Sequence, residues 1–517
     1  MQRKSQIGSY TFPLVYGNKT SDGTEAACFK DHTGATIAHS LIKDQMTAKT
    51  ITQVTEAGLS RKVISYTWDP TTNSTRQTLQ AVLLWQDAKS FISSIGCTSN
   101  NISFTVGNSV PANAVIALQG RTETEYQKST DSGTTWSLDT SKGTDGYEYG
   151  EWETLWTWHI WMTDEVYRNE GVENGQSLDT YYINGTESGS GDHIATLQDY
   201  TTPATTYQIL PVNLGWVPDD DNFGLFKPRS VWIKLNQTGT ENTTVVKITQ
   251  HARQQLYTGT GTVYQWGRPT AFPAVRNLSG TVRTIYDINN KDITSKFVLA
   301  QSTNGGDAIA NPYGVLQWET NPNSWFDVNS SDYATANAMW NKTAKTVYDP
   351  CPPGFRVPSA DVFKVFSKTG ATVVSVAEQL NMWPDTQDLN GTTQTSGQRS
   401  KGGYFYCEKH TGDIPATDRY RDMVYMPATG EWHGNKSVGT QLMEATEQLN
   451  QPTGLFWTSD YNNDDKDSKA AMLWITPEWS FSDGSADKPV IGFFNASPKT
   501  NKLNYYTNLR PIRPMKP

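Results

Sequence analysis

The chain has 517 residues, too many for one ordinary domain, so two or three are expected. Its 43 basic and 52 acidic residues leave a formal charge of −9, and no basic stripe stands out, which argues against nucleic acid as a partner. Hydrophobic residues make up only 36 % and charged residues 18 %, yet 18 tryptophans can build a core, so the composition is that of a loop-rich β protein rather than a disordered one. No apolar run approaches the length of a membrane span.

In chain order, strand patterns come first. Val63 to Trp68 alternates, Ala81 to Trp85 is continuously apolar as in a fully buried strand, Ile102 to Val106 alternates again, and Ala114 to Leu118 follows. Asp69-Pro70, Gly107-Asn108 and Pro111 punctuate these runs. Together they predict a β-sandwich-like domain over residues 1–120. Residues 121–150 are polar, with Ser129-Thr130-Asp131-Ser132-Gly133 among them, and read as a hairpin or linker. The densest aromatic cluster follows: Trp152, Trp156, Trp158, His159 and Trp161. Its alternation from Leu155 to Trp161 predicts a strand whose rings serve as core, with an exposed sugar platform as the sharper alternative.

Helices are few. Ser331 to Lys345 is one candidate; Ser359 to Ser367 is another, with Ser359 as cap after Pro358 and Val362, Phe363, Val365 and Phe366 as its apolar stripe. Long loops are expected at 165–205, 285–330 and 385–450.

Catalytic signatures are missing. The seven histidines are scattered, and no HExxH, GxSxG or GxxxxGK[ST] motif occurs. No catalytic residue, metal ligand or cofactor is therefore assigned, and the chain is read as a non-enzyme. Asp219-Asp220-Asp221-Asn222 and the stretch from Asp460 to Asp467 are oxygen-rich but lack EF-hand spacing, so both read as solvated acidic loops. Cys28, Cys97, Cys351 and Cys407 form no CxxC pair. Two readings stay open: disulfides Cys28–Cys97 and Cys351–Cys407, or buried thiols.

Several segments carry a resemblance. Leu155-Trp156-Thr157-Trp158-His159-Ile160-Trp161, Pro211-Val212-Asn213-Leu214-Gly215, Tyr264-Gln265-Trp266-Gly267-Arg268 with Phe272-Pro273, Tyr348-Asp349-Pro350-Cys351-Pro352-Pro353-Gly354-Phe355-Arg356-Val357-Pro358, Phe456-Trp457-Thr458-Ser459 and Leu509-Arg510-Pro511-Ile512-Arg513 occur in the order found in many Bacteroidota surface proteins. The series resembles the Fibrobacter succinogenes major paralogous domain. It is also similar to the C-terminal domains of fimbrillin-family pilus tip proteins and of variable proteins served by diversity-generating retroelements. Gly8 to Asn18, Leu83 to Asp87 and Asn113 to Ala117 resemble the N-terminal parts of such proteins. The resemblance implies an α+β, β-rich fold in which a C-type-lectin-like domain with long irregular loops occupies 151–517. It implies a cell-surface or extracellular recognition protein that binds a host or bacterial glycan or protein, in the company of other pilus subunits. No apolar stretch follows Met1-Gln2-Arg3-Lys4-Ser5, which leaves a cytosolic protein or a truncated sequence; the resembling proteins carry a further strand before the Gly8–Asn18 segment, and its absence here implies that an export signal is expected upstream. Two alternatives remain, a phage fibre tip receptor-binding protein and a formylglycine-generating-type enzyme.

The expected ligand face lies near the C-terminus. Tyr461, Asn462, Asn463, Trp479, Phe481, Asn501, Asn504, Tyr505, Tyr506 and Asn508 crowd one stretch. Tyr and Trp offer large contact area with few rotors, and Asn offers adaptable hydrogen bonds, the mixture that antibody loops use. The resemblance implies that this closing region carries the variable surface. Trp457 and Arg510 are expected to be buried beneath it as scaffold, and Arg356 to anchor a carboxylate or loop carbonyls through its planar fork.

Overall fold

Strict alternation decides the first sheet. In β7 (Asn101–Val106) Ile102, Phe104 and Val106 are buried while Ser103 faces water. This strand lies between β2 (Gly8–Pro13) and β6 (Ile92–Cys97), antiparallel to both, and Tyr10 of β2 stacks on Phe104 at 5.5 Å. The computed structural model describes residues 2–4, 7–17, 49–56, 59–66, 78–98, 100–108, 111–163, 195–198, 205–210, 212–218, 229–236, 243–250, 259–274, 283–303, 305–319, 325–326, 339–352, 354–370, 373–374, 381, 402–407, 423–427, 429, 454–461, 470–475, 491–493 and 509–516. Over these residues the protein is β-rich, with several antiparallel sheets and little helix.

The second sheet is apolar on both faces. It runs β1 (Gln2–Lys4), β12 (Glu153–Thr163), β8 (Ala112–Gly120), β5 (Leu79–Gln86), with β1 parallel and the rest antiparallel. The continuous apolar run in β8 is buried as expected, and so is that in β5 except for the half-buried Val82. The alternation read in β12 does not separate core from solvent, because every residue from Thr154 to Trp158 and from Ile160 to Met162 is buried. Both faces of β12 are covered. On one, Trp156 meets Tyr16 at 5.1 Å and Trp158 meets Phe12 at 5.2 Å. On the other, Thr157 reaches Thr270 and the Trp161 indole donates to the Trp216 carbonyl. The boundary expected between 120 and 151 thus runs through one sheet.

Residues 121–150 form paired strands. β9 (Glu123–Ser129) lies beside β4 (Leu59–Tyr66), which pairs with β3 (Lys49–Glu56). On its other side β9 takes β10 (Ser137–Leu138) and β11 (Tyr147–Tyr149). The β9–β10 turn is tied by Asp131, whose Oδ1 accepts from Ser129 Oγ at 2.6 Å, Thr135 N at 2.7 Å and Thr134 N at 3.1 Å.

Shorter sheets follow. β14 (Thr206–Ile209) lies between β13 (Ala195–Gln198) and the closing β29 (Met515–Lys516). β15 (Val217–Pro218) pairs with β18 (Gly259–Thr260), β16 (Arg229–Asn236) with β17 (Thr243–Gln250), and β19 (Tyr264–Gln265) with β28 (Leu509–Arg510). Inside the loop expected at 285–330, β20 (Val298–Ser302) and β21 (Gly314–Trp318) pair in parallel through α1 (Asp307–Ala310). Inside the loop expected at 385–450, β23 (Gly402–Tyr406) pairs with β24 (Met423–Pro427). Both expectations are corrected: these segments are short, and their partners lie across a connection that local pattern does not reveal. The last large sheet runs β22 (Val373–Val374), β27 (Ile491–Phe493), β26 (Ala470–Ile475), β25 (Gly454–Tyr461).

The helix expected at Ser359–Ser367 is a 3₁₀ helix, Ala360–Phe366, and its stripe of Val362, Phe363, Val365 and Phe366 is buried. Ser359 precedes it without a side-chain cap bond; Asp460 of β25 caps it instead, accepting from the Ala360 N–H at 2.6 Å. Of the helix expected at Ser331–Lys345 only 339–345 are described, and from residue 340 these are not helical. One apolar cluster runs from Leu14 to Ile512, and a second gathers the 3₁₀ stripe with Phe405, Val424, Phe456 and Leu473. Among the described residues no helix is long and apolar enough to cross a membrane.

Candidate functional site

The framework under the expected ligand face is built by β25, β28 and β19. Leu455, Phe456, Trp457, Thr458 and Ser459 of β25 are all buried. The Trp457 indole donates to the Tyr264 carbonyl at 2.7 Å, and the Trp266 indole donates back to the Thr458 carbonyl at 2.8 Å. The Trp457 backbone N–H bonds to the Pro511 carbonyl, and the Arg510 guanidinium lies 4.3 Å over the Trp457 ring. Trp457 and Arg510 are both fully buried, as expected of a scaffold. The staples continue outward: Trp325 donates to the Trp266 carbonyl at 2.7 Å and Trp340 to that of Tyr348 at 3.1 Å.

Strand directions define where the expected ligand residues leave this framework. Tyr461 faces Ala470 at one end of the β25–β26–β27 sheet, and Gly454, Ile475 and Ile491 meet at the other. The connection carrying Asn462 and Asn463 joins Tyr461 to Ala470. The one carrying Trp479 and Phe481 begins and ends at the other end. The stretch holding Asn501, Asn504, Tyr505, Tyr506 and Asn508 runs from Phe493 to Leu509. Tyr461 lies on the described backbone of β25; the other nine positions lie outside the described residues.

A buried polar relay braces the region behind. His159 Nε2 lies 2.9 Å from Asn113 Oδ1, and its Nδ1 lies 3.0 Å from the Tyr264 hydroxyl. Asn113 Nδ2 donates to Asp87 Oδ2 at 2.9 Å and to the Gly215 carbonyl at 2.8 Å, so its Oδ1 is the acceptor facing His159. The ring must therefore donate from Nε2, which leaves Nδ1 to accept from Tyr264. Burial pushes the His159 pKa down to about 3, so the imidazole is neutral. Burial raises Asp87, against the opposing charge of Arg283. Gly215 is required here: its φ is +72°, and a Cβ would strike Thr262 and the Asn113 amide oxygen.

Buried arginines replace the expected single anchor. Arg268 is fully buried and gives its N–H groups to the carbonyls of Ala308, Gly314 and Asn311 and to Gln265 Oε1, which are neutral acceptors. Burial brings its pKa down to about 9. Arg356 feels the charge of the Asp349 carboxylate, a candidate for the expected anchor, but burial is the larger influence and lowers its pKa. Among the described residues its Nε and Nη1 find no hydrogen-bond partner, and its backbone exchanges two bonds with Met515. Asp349 organises that loop, accepting from Lys345 Nζ at 2.9 Å and from the backbone N–H groups of Cys351 and Val357, both at 2.8 Å.

Cys351 and Cys407 are buried thiols in different apolar clusters and are not joined, so the thiol reading holds for them. Burial pushes the Cys351 thiol far up its scale. Cys97 is a partly buried thiol, and Cys28 lies outside the described residues. Of the two oxygen-rich stretches, only Asp460 and Tyr461 are described, and Asp460 serves as the helix cap; among the described residues no group of three or more His, Cys, Asp or Glu could hold a metal. Sequence reasoning missed a cluster of half-exposed rings around Arg121, because Tyr147 and Tyr149 stood in a stretch read as linker. No family model matches the chain, and no curated protein or solved structure matches it.

Proposed function

We propose that the protein is a cell-surface recognition or adhesion protein that binds a glycan or protein ligand through the connections of a C-terminal lectin-like part, as a pilus tip subunit or a diversified variable protein. One contrast carries this reading. Trp457 and Arg510 are wholly buried and bonded to distant backbone, while the sequence between them is rich in Tyr, Trp and Asn. A rigid base under connections of that composition suits ligand capture, since few rotors are lost on binding. The sequence resemblance supports the same reading, and no catalytic step is assigned. The test is an array of glycans and host surface proteins probed with the intact chain and with a Tyr461→Ala, Trp479→Ala, Tyr505→Ala triple variant. Binding by the intact chain and its loss in the variant, at an unchanged melting temperature, is the expected result. An empty array, or equal binding by both proteins, overturns it.

A further inference from the structure

Among the tryptophans whose side chains are described, Trp136 and Trp152 are the two that are not buried. Both lie by the β4–β9–β11 sheet, and register brings other rings to them. Tyr149 pairs with Glu123 and Tyr147 with Glu125, so the two tyrosines share one face with the two glutamates. That face continues across β9 to Tyr66 and Ile64 of β4. Glu123 and Glu125 are 3 % and 8 % exposed, covered from the side, while Tyr149 is 41 % exposed.

The exposed row is rigid. The Arg121 guanidinium sits 4.1 Å from the Tyr149 ring and 4.4 Å from the Trp152 ring, between the two. Tyr147 and Tyr149 lie with centroids 6.5 Å apart and planes within 21°. That separation is too wide for face-to-face contact, so the rings are offset along the strand. The backbone at both ends is fixed, by Arg121 N–H to the Thr78 carbonyl and Gly150 N–H to the Thr122 carbonyl, each at 3.0 Å. At the far side of the face, Lys62 covers Trp136 at 4.0 Å. Rings held out of the core by such contacts have no packing role that would require their exposure.

We propose that this face is a second binding surface, for a neutral oligosaccharide, with Tyr147, Tyr149 and Trp152 as the ring platform and Arg121 and Gln127 as its hydrogen-bonding edge. The apolar faces of sugar rings pack on aromatic rings, and vicinal hydroxyls match planar groups that donate or accept in pairs; a guanidinium and an amide occur here. Glu151 and Glu153, on either side of Trp152 in the chain, are exposed and repel an acidic sugar. A proline-rich peptide also uses exposed rings, but it needs few planar hydrogen-bonding partners. The surface is remote in sequence from Tyr461–Asn508 and does not rest on the function proposed for that stretch.

The experiment is an array of neutral and acidic oligosaccharides probed with the full chain, then calorimetric titration of the strongest neutral binder. Tyr149→Ala and Trp152→Ala are expected to weaken binding about tenfold or more, as truncation of a central aromatic anchor does. Tyr149→Phe keeps the ring and is expected to stay close to the parent, which controls for folding. In 5-fluorotryptophan-labelled protein the Trp152 resonance, assigned from Trp152→Phe, is expected to move on saturation. The Tyr461, Trp479, Tyr505 triple variant is expected to keep this binding, so failure of one site is distinguishable from failure of the other. No neutral binder, a binder whose affinity survives both alanine variants, or Trp152 shifts only with a proline-rich peptide library overturns the proposal.

Discussion

Buried indoles are the residue-scale device of this protein. Trp85, Trp158, Trp161, Trp266, Trp325, Trp340 and Trp457 each donate the ring N–H to a backbone carbonyl. A buried indole usually finds an acceptor, and for these seven the acceptor is mostly on a segment far along the chain, so each ring is both core and staple. Trp457→Phe keeps most of the ring but orphans the Tyr264 carbonyl, and about 1–3 kcal/mol of stability is expected to go. Trp457→Ala also opens a cavity, and about 3–5 kcal/mol is expected. Because the two indoles tie the same two segments, Trp457 to the Tyr264 carbonyl and Trp266 to the Thr458 carbonyl, a double-mutant cycle in urea is expected to show coupling; strict additivity would remove the staple argument. His159 supplies a pH dependence. Its folded pKa of about 3 lies below the ordinary 6.5, so the unfolded chain binds the proton first. Its contribution is fully present above pH 6.5 and is lost as pH falls from there toward 3. His159→Gln is expected to flatten that part of the stability profile, and an unchanged slope would mean that another group sets it.

At the scale of elements, tight polar turns and borrowed caps do what propensity leaves undone. Asp131 ties the β9–β10 turn, and its bonds from Ser129 and Thr135 hold the carboxyl well below the usual range. The turn is therefore expected to stay closed above the ordinary carboxylate pKa and to loosen as pH falls below it. Amide exchange of Gly133 to Thr135 reads this, and Asp131→Ala is expected to give the open-turn exchange rate at neutral pH. Asp460→Ala removes the cap from Ala360–Phe366 and is expected to cost about 1 kcal/mol in urea denaturation, with Asp460→Asn close to parent. Legibility at this scale followed periodicity. β7 could be read because its two faces meet different media, and β5 and β8 because both their faces are apolar. β12 was located correctly and its rings are core, not an exposed platform; that Thr157 and His159 are also inward could not be read from their alternation with Trp. β20 and β21 escaped notice because five residues carry little pattern and α1 is a single turn. The expected scaffold residues Trp457 and Arg510 were legible from motif order. The relay was not, since Asn113, His159 and Tyr264 are brought together only by strand pairing and packing.

At the scale of the whole molecule, β12 decides whether parts of the chain can stand alone. One face of this strand is covered by Phe12 and Tyr16 from the N-terminal segment, and its edge pairs with β8 along Ala112–Gly120. The other face meets Thr270, Tyr264 and Trp216, and the same apolar cluster continues through Trp266 and Trp457 to Ile512. A domain has its own core and few contacts across its boundary. A cut at 150 violates that condition twice. It leaves Trp156, Trp158 and Ile160 without cover, and it removes the Asn113 acceptor that fixes His159, so a buried ring nitrogen loses its partner. A fragment of residues 151–517 is therefore expected to lack the cooperative thermal transition of the intact chain and to bind hydrophobic dyes. Residues 1–150 alone are expected to fare no better, because β8 would present a bare apolar edge. Adding the two fragments together is expected to restore part of the transition if β8 can find β12 again. Calorimetry on both fragments and on their mixture decides the matter. A 151–517 fragment that melts sharply near the intact protein's temperature would show that the shared sheet is a contact between two finished domains rather than part of either core.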